Sequence, residues 1–346
     1  MKSESYVMPA EWDRHAATWL GWPHRKEDWP GKFEPIPWAF GEIARRISQD
    51  EIVRILVKDA AHEASAKKIL TMVHANMKNI QLIRCPTDRG WMRDTGPIFV
   101  KSKSGRRILD YRFNAWAKYP EWKKDHAIKY LASSRLKLPL EPVTHNGRQV
   151  TLEGGAIDVN GRGTLLTTEE CLLDQKTQVR NPGLDRKDMN QMFARHFGAT
   201  NVLWLGNGIV GDDTHGHVDD LCRFVNPTTA VLVRERNPKD ANHKVLEENW
   251  ERAQGFKLEN GKKLTVVELP MPEPLYFDGT RLPASYANFY ICNAAVIVPT
   301  FNDPNDYIAI GILSDLFEDR PVIGIHAVDL VWGFGTLHCL TQQEPL

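Results

Sequence analysis

The segment GDDTHGHVDD at residues 211–220 places four aspartates and two histidines within ten positions. Histidines and carboxylates at this spacing are compatible with a transition-metal site. The same side chains beside a cysteine would suit nucleophilic and acid–base catalysis. A solvated acidic loop is the third interpretation. The segment alone leaves all three open, because its use depends on which other side chains reach it.

Three further segments carry side chains of the same chemical kinds. WMRDTGP contains Asp94, TLEGGAI contains Glu153, and GFGTLHC near the chain end contains Cys339. The five cysteines are an odd number, widely spaced and without a CxxC pair, which argues against a disulfide scaffold and a structural zinc site. One of them is a candidate for chemistry. The cysteines expected to be small buried apolar residues are Cys85, Cys171, Cys222 and Cys292.

Several carboxylates beside a cysteine and a histidine would repel an anionic substrate and attract a cationic one. Two buried aspartates can each accept two N–H bonds from a planar guanidinium, and their burial is tolerable when that cation occupies the pocket. The cation also lowers the thiol pKa and promotes the thiolate. This combination indicates attack of a cysteine on a guanidine carbon. No second His-rich or Cys-rich segment completes a ligand set, so we expect no metal.

Strand-like and helix-like segments recur in a fixed order along the chain. TLLTTEEC begins at Thr164, AVLVRERN at Ala230 and VIVPTFND at Val296, a spacing of 66 residues each time. Each apolar run precedes a stretch of helical periodicity, and each helix precedes another strand-like run. The helical stretches are KDMNQMFARHF, HKVLEENWERA and DYIAIGILSDLF, and the later strands are NVLWLG, LTVVELP and PVIGIHA.

Two looser copies of this order begin at Ala17 and Arg107, which brings the strand–helix–strand units to five. Self-similarity at this scale indicates stacked or closed repeats rather than independent domains. We therefore predict a closed α/β ring that forms one domain over residues 1–346.

The polar motifs occupy matching places in this register. Asp94, Glu153 and His217 precede the strands of their repeats by 11 to 13 residues. Equivalent positions of a pseudo-symmetric ring point at one axis, so we expect these side chains to converge. The C-terminal segment that contains Cys339 is not followed by a strand of its own repeat. We therefore expect it to join the first strand near Ala17, which would bring Cys339 to the same axis.

Composition excludes several classes of partner. Lys+Arg and Asp+Glu both number 44, so the chain is formally neutral and has no overall field to recruit nucleic acid or an anionic membrane. No stretch approaches the ~20 apolar residues of a membrane span. The first residues, MKSESYVMPAEW, lack the apolar core of a signal peptide. We therefore expect a cytoplasmic protein.

Taken together, the motifs resemble the agmatine deiminase family, the Porphyromonas-type peptidyl-arginine deiminases of the pentein superfamily. The resemblance runs nearly end to end, through MPAEWDRHAATWLGWP, WMRDTGP, FNAW, LEGGAIDVNG, GHVDDLCRF, PASYANFYICN, VIVPTFNDPND and LHCLTQQ. It implies a five-fold pseudo-symmetric α/β-propeller of strand–helix–strand repeats. It also implies a hydrolase that converts agmatine to N-carbamoylputrescine and ammonia, a reaction of putrescine and polyamine biosynthesis that needs no cofactor.

The resemblance also implies a role for each polar residue. Cys339 is the nucleophile that forms a covalent thiouronium intermediate, His217 is the acid and base, and Glu153 is the partner of His217. Asp94 and Asp219 grip the guanidinium of a small-molecule substrate.

The walls of the pocket are less defined by the resemblance. Trp91 and Trp116 match pocket aromatics, although either could equally be a core tryptophan. WGFGTLHC and AKYP stand where the family often has glycines. An arginine or peptidyl-arginine deiminase, an amidinotransferase and a non-catalytic binding module are the alternative functions, and the sequence leaves homo-oligomerisation open.

Overall fold

The computed structural model describes residues 5–346 and divides into two compact units. The first unit comprises residues 5–10 and Asp94–Glu268, and the second comprises Glu11–Arg93 and Leu269–Leu346. The first four residues, which the predicted domain and the N-terminal signal argument include, lie outside the described residues. Among the described residues, no helix has both the length and the apolar character that crossing a bilayer requires. A single domain stays a prediction.

Strands and helices alternate along most of the chain. In chain order the strands are β1 His15–Gly21, β2 Ile52–Val57, β3 Ile80–Arg84, β4 Ile98–Ser102, β5 Gly105–Asp110, β6 Leu140–Pro142, β7 Thr144–His145, β8 Arg148–Gln149, β9 Asp158–Val159, β10 Thr164–Thr168, β11 Asn201–Leu205, β12 Cys222–Asn226, β13 Thr229–Arg234, β14 Thr265–Pro270, β15 Tyr276–Phe277, β16 Thr280–Arg281, β17 Tyr290–Ile291, β18 Val296–Thr300, β19 Val322–His326 and β20 Thr341–Pro345. The helices are α1 Ile36–Ile47, α2 Ala60–Met72, α3 Met92–Thr95, α4 Lys123–His126, α5 Ile128–Leu136, α6 Glu169–Leu173, α7 Arg186–Phe197, α8 His243–Ala253, α9 Asn305–Leu316 and α10 Leu337–Leu340.

Three sheets of the first unit share one strand order, namely β4–β5–β6, β9–β10–β11 and β12–β13–β14. In each of them the middle strand pairs antiparallel with the first strand. A helical segment lies between the middle and the third strand. The third strand is parallel to the middle one in the sheets of β5 and β10. The repeats predicted at Thr164 and Ala230 are thereby confirmed.

The second unit repeats the same order twice. One sheet is β17–β18–β19, in which β18 is antiparallel to β17 and parallel to β19. The other is β20–β1–β2–β3, in which β1 is antiparallel to the C-terminal strand β20 and parallel to β2. The prediction that the chain end joins the strand near Ala17 is confirmed. Helix α2 and strand β3 add a crossover that the repeat pattern did not predict.

Helix α7 illustrates how the sequence specifies one repeat. Asp185 caps its start and forms a capping box with Asp188, which satisfies backbone donors at the helix N-terminus. The helix ends at Gly198, whose φ of 68° and close approach to Tyr6 leave no room for a side chain. Phe193 and the other apolar residues of its inner face pack into the core of the first unit.

The looser copy that begins at Arg107 departs most from the pattern. The stretch DHAIKYLASSRL, predicted as one helix, is divided between the short helices α4 and α5, which meet at Ala127. Helix α5 ends at Lys137 in the left-handed region, with φ 54°. The strand–helix–strand order is nevertheless kept, because β6 pairs parallel with β5.

The segments that could do chemistry occupy equivalent places in the five sheets. Each lies just before the antiparallel first strand, where the chain enters the repeat. These residues are Asp94 before β4, Glu153 before β9, His217 and Asp219 before β12, Asn288 before β17 and Cys339 before β20. Four of these places carry residues that the sequence analysis predicted to be functional, and Asn288 occupies the fifth.

Candidate active site

In the first unit, Asp94 lies in the short helix α3 with its carboxylate held by two donors. Trp116 Nε1 donates to Oδ2 at 2.8 Å, and Gly155 N donates to Oδ1 at 3.1 Å. The side chain is buried. One donor on each oxygen fixes the orientation of the carboxylate and leaves lone pairs for a further donor.

His217 directly precedes the 3₁₀ turn Val218–Asp220 and is surrounded by carboxylates. Its Nδ1 lies 3.8 Å from Asp94 Oδ1 and 4.0 Å from Asp219 Oδ1, and its Nε2 lies 3.8 Å from Glu153 Oε2. These distances exceed hydrogen-bond length, so the contacts are electrostatic. We call Asp94, Glu153, His217 and Asp219 the His217 cluster; the predicted convergence of Asp94, Glu153 and His217 is observed within this unit.

Burial and neighbouring charges set the ionisation of the cluster. Burial, together with the charges of Asp219 and Glu153, raises the pKa of Asp94 to about 6 against the lowering effect of His217. Burial lowers the pKa of His217, but Asp94, with contributions from Cys171 and Glu153, raises it well above the ordinary 6.5. The imidazole is therefore a cation at neutral pH.

Arg180 holds the Glu153 carboxylate and was not found by sequence reasoning. Arg180 Nε donates to Glu153 Oε1 at 3.0 Å, and both side chains are fully buried. The guanidinium also donates to the carbonyls of Gln178 and Thr214. Burial raises the pKa of Glu153, but Arg180 and then His217 outweigh it and lower the pKa to about 2. Glu153 is therefore a permanent anion beside His217.

Cys171 is buried in the apolar core of the first unit, as the sequence predicts, and it also borders the His217 cluster. Its sulfur lies within 4.8 Å of a Glu153 carboxylate oxygen and a His217 ring nitrogen. These three groups include donor types that soft metal ions accept. The guanidinium of Arg180, paired with Glu153, opposes a dication at this place. The expectation that the reaction needs no metal stays a prediction.

Gly155 allows the His217 cluster to form. A Cβ added at this position would lie 2.6 Å from His217 Nδ1, 2.9 Å from Asp94 Oδ1 and 3.0 Å from Asp219 Oδ2. The second glycine of LEGGAI is therefore required by close approach, since three charged side chains occupy the space of its missing side chain.

Replacing Gly155 by alanine should lower kcat/KM roughly 100-fold, because a displacement of about 1 Å in positioned groups costs about that much. The matched control is Gly255→Ala, since a Cβ at Gly255 meets only Arg252 O, at the ordinary distance of 3.6 Å. Steady-state kinetics on both variants and the wild type give the kcat/KM values to be compared. Equal activity of the two variants would contradict the proposed packing requirement.

The aspartates of the acidic segment have separate tasks. Asp212 accepts hydrogen bonds from the backbone of Thr214, Gly216 and His217, and so shapes the loop that presents His217. Asp213 pairs with Lys118. Two further side-chain contacts of the segment lie outside the cluster. His215 Nε2 lies 2.8 Å from Asp174 Oδ2, and Tyr119 donates to Asp213 Oδ2 at 2.7 Å.

Trp116 is buried and serves Asp94 through its indole N–H. Its backbone is left-handed, with φ 57°, and so are those of Ala115 and Ala117. Such a run is costly for residues with a side chain and is characteristic of functional sites. The ring packs edge-on against Phe113 at 5.2 Å. Trp116 therefore combines a core contact with direct orientation of a cluster carboxylate, and its contact with substrate stays a prediction.

In the second unit, Cys339 lies in helix α10 beside Asn288. Asn288 Nδ2 donates to Cys339 Sγ at 3.1 Å. The opposite end of the amide, Oδ1, accepts from Thr336 Oγ1 at 2.8 Å and from His338 N at 3.1 Å. These donors fix the amide so that its NH₂ group faces the sulfur. Sequence reasoning missed Asn288, although PASYANFYICN carries it directly before β17.

Trp91 lines the same part of the second unit as Cys339. A Cβ added at Gly335 would lie 2.9 Å from Trp91 Cζ3 and 3.1 Å from Cys339 Sγ. Trp91 also packs on Trp29, with ring centroids 5.3 Å apart. The indole is buried, and its assignment to the substrate pocket stays a prediction.

Trp332 and Phe334 occupy the segment that departs from the family's glycines. Trp332 Nε1 donates to Pro30 O at 2.8 Å and packs against Phe277 at 4.4 Å. Phe334 adopts a left-handed φ of 67°. The bulky residues are thus accommodated by the fold of this segment. Cys339 follows them in a helical turn.

A sequence model of the Porphyromonas-type peptidyl-arginine deiminase family matches residues 7–345. The chain belongs to this family. An agmatine deiminase of Pseudomonas fluorescens (strain SBW25) is 34% identical, and the match covers 99% of this chain and 96% of the relative. The sequence-based assignment to the agmatine deiminase family is confirmed.

Solved structures of the family share the fold. The agmatine deiminase of Enterococcus faecalis gives a TM-score of 0.90 at 28% identity, covering 100% of this chain and 98% of that one. A substrate-bound cysteine-to-serine variant of the C. jejuni agmatine deiminase gives 0.88 at 29% identity, covering 99% and 97%. The mixed α/β fold of the Porphyromonas-type family is therefore present here.

Proposed function

We propose that this protein is an agmatine deiminase, which hydrolyses agmatine to N-carbamoylputrescine and ammonia. The observation that carries the proposal is the His217 cluster, in which Asp94 and Asp219 flank an acid–base histidine around the missing side chain of Gly155. The similarity to agmatine deiminases over nearly the whole chain supports this substrate.

Asp94 and Asp219 bind the guanidinium of the substrate. Both carboxylates are buried, and a buried anion pair is stable when a cation takes hydrogen bonds from both. Binding of the cation also lowers the pKa of Asp94 from about 6 and keeps its carboxylate ionised. Trp116 and Gly155 hold the Asp94 oxygens in place during binding.

The first chemical step forms a carbon–sulfur bond. The Cys339 thiolate adds to the guanidine carbon, whose C=N electron pair moves to nitrogen. His217, a cation through its raised pKa, donates its proton to the departing nitrogen, and the C–N bond breaks to release ammonia. The product on the enzyme is an S-alkylthiouronium on Cys339.

The second step is hydrolysis of that intermediate. Neutral His217 accepts a proton from water, and the resulting hydroxide adds to the thiouronium carbon. The C–S bond then breaks as the added hydroxyl becomes a carbonyl and releases its proton to solvent, which frees the Cys339 thiolate and leaves the urea group of N-carbamoylputrescine. Glu153, held ionised by Arg180, stabilises the imidazolium that forms in this step.

We further propose that the five sheets of common strand order form one five-fold α/β-propeller of the pentein type. The shared position of functional residues before β4, β9, β12, β17 and β20 supports a common axis for them. This arrangement is what the covalent mechanism requires of Cys339 and the His217 cluster. A cytoplasmic location and the absence of nucleic-acid and membrane partners stay predictions.

Asn288 is a positioning residue for the nucleophile in this mechanism. Its NH₂ donor stabilises a thiolate at Cys339, so Asn288→Asp, which sets a carboxylate beside the sulfur, should raise the thiol pKa by about one unit or more. The pH dependence of iodoacetamide alkylation of Cys339 measures this shift.

Asn293→Asp is the control, because Asn293 is a hydrogen-bonded asparagine that pairs with the backbone of His15 instead. A merely structural role for Asn288 would lower the melting temperature and leave the alkylation profile at its wild-type position. That outcome would remove Asn288 from the mechanism.

Rapid acid quench during turnover of agmatine tests the covalent step. Peptide mass spectrometry should find the substrate-derived amidino group on Cys339 and on no other cysteine. An adduct on Cys171 would contradict the proposed nucleophile. Turnover without any adduct, at quench times shorter than one turnover, would contradict it as well.

A further inference from the structure

A cleft of about 490 Å³ in the first unit lies outside the His217 cluster and plays no part in the mechanism. Its volume is within the range of small-molecule sites, ~300–1,000 Å³. No aspartate or glutamate is among the residues that line it, all of which belong to the described part of the chain. Its basic and aromatic lining residues are Arg112, Trp122, His126, His145, Arg148 and Arg180.

A tight hairpin builds one wall of the cleft. Strands β7 and β8 are joined by Asn146 and Gly147, whose φ values of 49° and 77° are those of a primed turn. The register pairs His145 with Arg148 directly across the hairpin. Cross-strand partners project to the same face, which accounts for the presence of both side chains in the lining.

Arg112 is placed on the cleft by the backbone and by an aromatic ring. Its backbone forms a parallel bridge with Thr151, which continues the chain beyond the hairpin. Its guanidinium lies over the ring of Trp122, 5.1 Å from the centroid. This distance is that of a cation–π contact, which holds the guanidinium beside the ring.

Part of the charge of this lining is paired within the protein, since Arg180 pairs with Glu153 and His145 Nε2 lies 3.5 Å from Asp188 Oδ1. Among residues 5–346, neither Arg112 nor Arg148 forms an ion pair with a carboxylate. Unpaired guanidinium groups around one concave surface are the usual receptor for oxyanions, which they bind with two parallel N–H bonds.

His126 supplies a neutral imidazole to the lining of the cleft. Burial, together with the charges of Lys129 and Arg112, lowers the pKa of its imidazole to about 4 against the opposing effect of Asp110. Its Nδ1 accepts the Phe113 N–H at 3.2 Å, so the neutral ring carries its hydrogen on Nε2. The ring is thus a donor, as an oxyanion requires.

We propose that this cleft binds a small organic molecule carrying an oxyanion group, phosphate or carboxylate, between Arg112 and Arg148, with its apolar part against Trp122. Nothing in the deimination of a cationic substrate calls for such a site. Its existence is independent of the proposed function.

The cleft is connected to the His217 cluster through Arg180. Arg180 forms part of the cleft wall, and its Nε holds Glu153. Its other two guanidinium nitrogens each carry a second hydrogen beyond the one given to Gln178 and Thr214. The Arg180 side chain is nevertheless fully buried, so these hydrogens are not exposed to the cleft, and Arg180 is a wall that the cleft and the cluster share.

Isothermal titration at constant ionic strength tests the proposal on the full chain. The probes are inorganic phosphate, phenyl phosphate and benzoate, of which the last two share a ring and differ in the oxyanion. We expect saturable binding of one probe molecule per chain by phenyl phosphate or by benzoate, and the tighter of the two identifies the preferred oxyanion.

Arg148→Ala should weaken that binding at least about tenfold, and Arg148→Glu should weaken it more, since the charge is reversed. Arg148 is exposed on its hairpin, so both variants are expected to fold, which melting curves check. Arg135→Ala removes an exposed arginine of α5 outside the lining and should leave affinity unchanged. Absence of saturable binding by all three probes, or equal affinity of the Arg148 and Arg135 variants, would overturn the proposal.

Discussion

Replacing Cys339 by serine should abolish turnover of agmatine while leaving the fold and substrate binding largely intact. A hydroxyl is far less ionised than a thiol, and Asn288 offers the sulfur a donor and no base. Loss of a covalent nucleophile lowers kcat on the order of 10⁴-fold or more. Steady-state ammonia release measures kcat, and calorimetric titration with agmatine measures the retained affinity.

Cys85→Ser is the control for this substitution. Cys85, which the sequence wrongly predicts to be buried, is a partly exposed cysteine of the same unit that directly follows strand β3. Its variant should keep wild-type kcat. Substantial turnover by the Cys339 variant, with the Cys85 variant as reference, would exclude covalent catalysis by Cys339.

Replacing Asp94 or Asp219 by asparagine should lower kcat/KM by about 30-fold to several thousand-fold. Removing one partner of a buried charge pair commonly costs ~2–5 kcal/mol. kcat should fall too, because the same contacts aim the guanidine carbon at the nucleophile. The control is Asp213→Asn, which belongs to the same acidic segment but pairs with Lys118 outside the cluster.

The raised pKa of Asp94 adds a signature that a structural role would not produce. Below its pKa of about 6 Asp94 takes up a proton and loses the charge that binds guanidinium, so kcat/KM should fall with decreasing pH. The raised pKa also means that ionised Asp94 destabilises the substrate-free fold at neutral pH. In Asp94→Asn, kcat/KM should therefore no longer fall as the pH decreases, and the melting temperature should stay the same or rise. A purely structural aspartate would instead give a variant of lower stability with normal kinetics.

Much of the fold could be predicted because each repeat is specified locally. The strands at Thr164, Ala230 and Val296 are apolar runs, and their helices bury a face of helical period, so sequence periodicity is sufficient to find them. The partner of the first strand followed from the repeat count alone, since only the C-terminal segment was left to pair with β1.

The features that escaped prediction depend on contacts between distant segments. Arg180 and Cys171 lie in stretches without a catalytic pattern, and only the folded unit brings them to Glu153 and His217. Asn288 could have been found, because the repeat register asks for a residue before β17 as it does before the other four first strands. An asparagine carries no charge or nucleophile to attract notice in a sequence.

The acidic segment illustrates the same limit. Its composition is equally compatible with a metal site, a catalytic loop or a solvated turn. The structure divides it residue by residue: Asp212 shapes the loop, Asp213 makes a peripheral ion pair, and Asp219 joins His217. Spacing in the sequence could not separate these tasks, because each is defined by a partner elsewhere in the chain.

The proposed function is tested most directly by ammonia release from agmatine, free arginine and an arginyl peptide under identical conditions, with the carbon product identified by mass spectrometry. We expect agmatine to be turned over with the highest kcat/KM and to yield N-carbamoylputrescine in equal amount to ammonia. Preferential release from arginine or from the arginyl peptide, or no release from agmatine, would contradict the assignment.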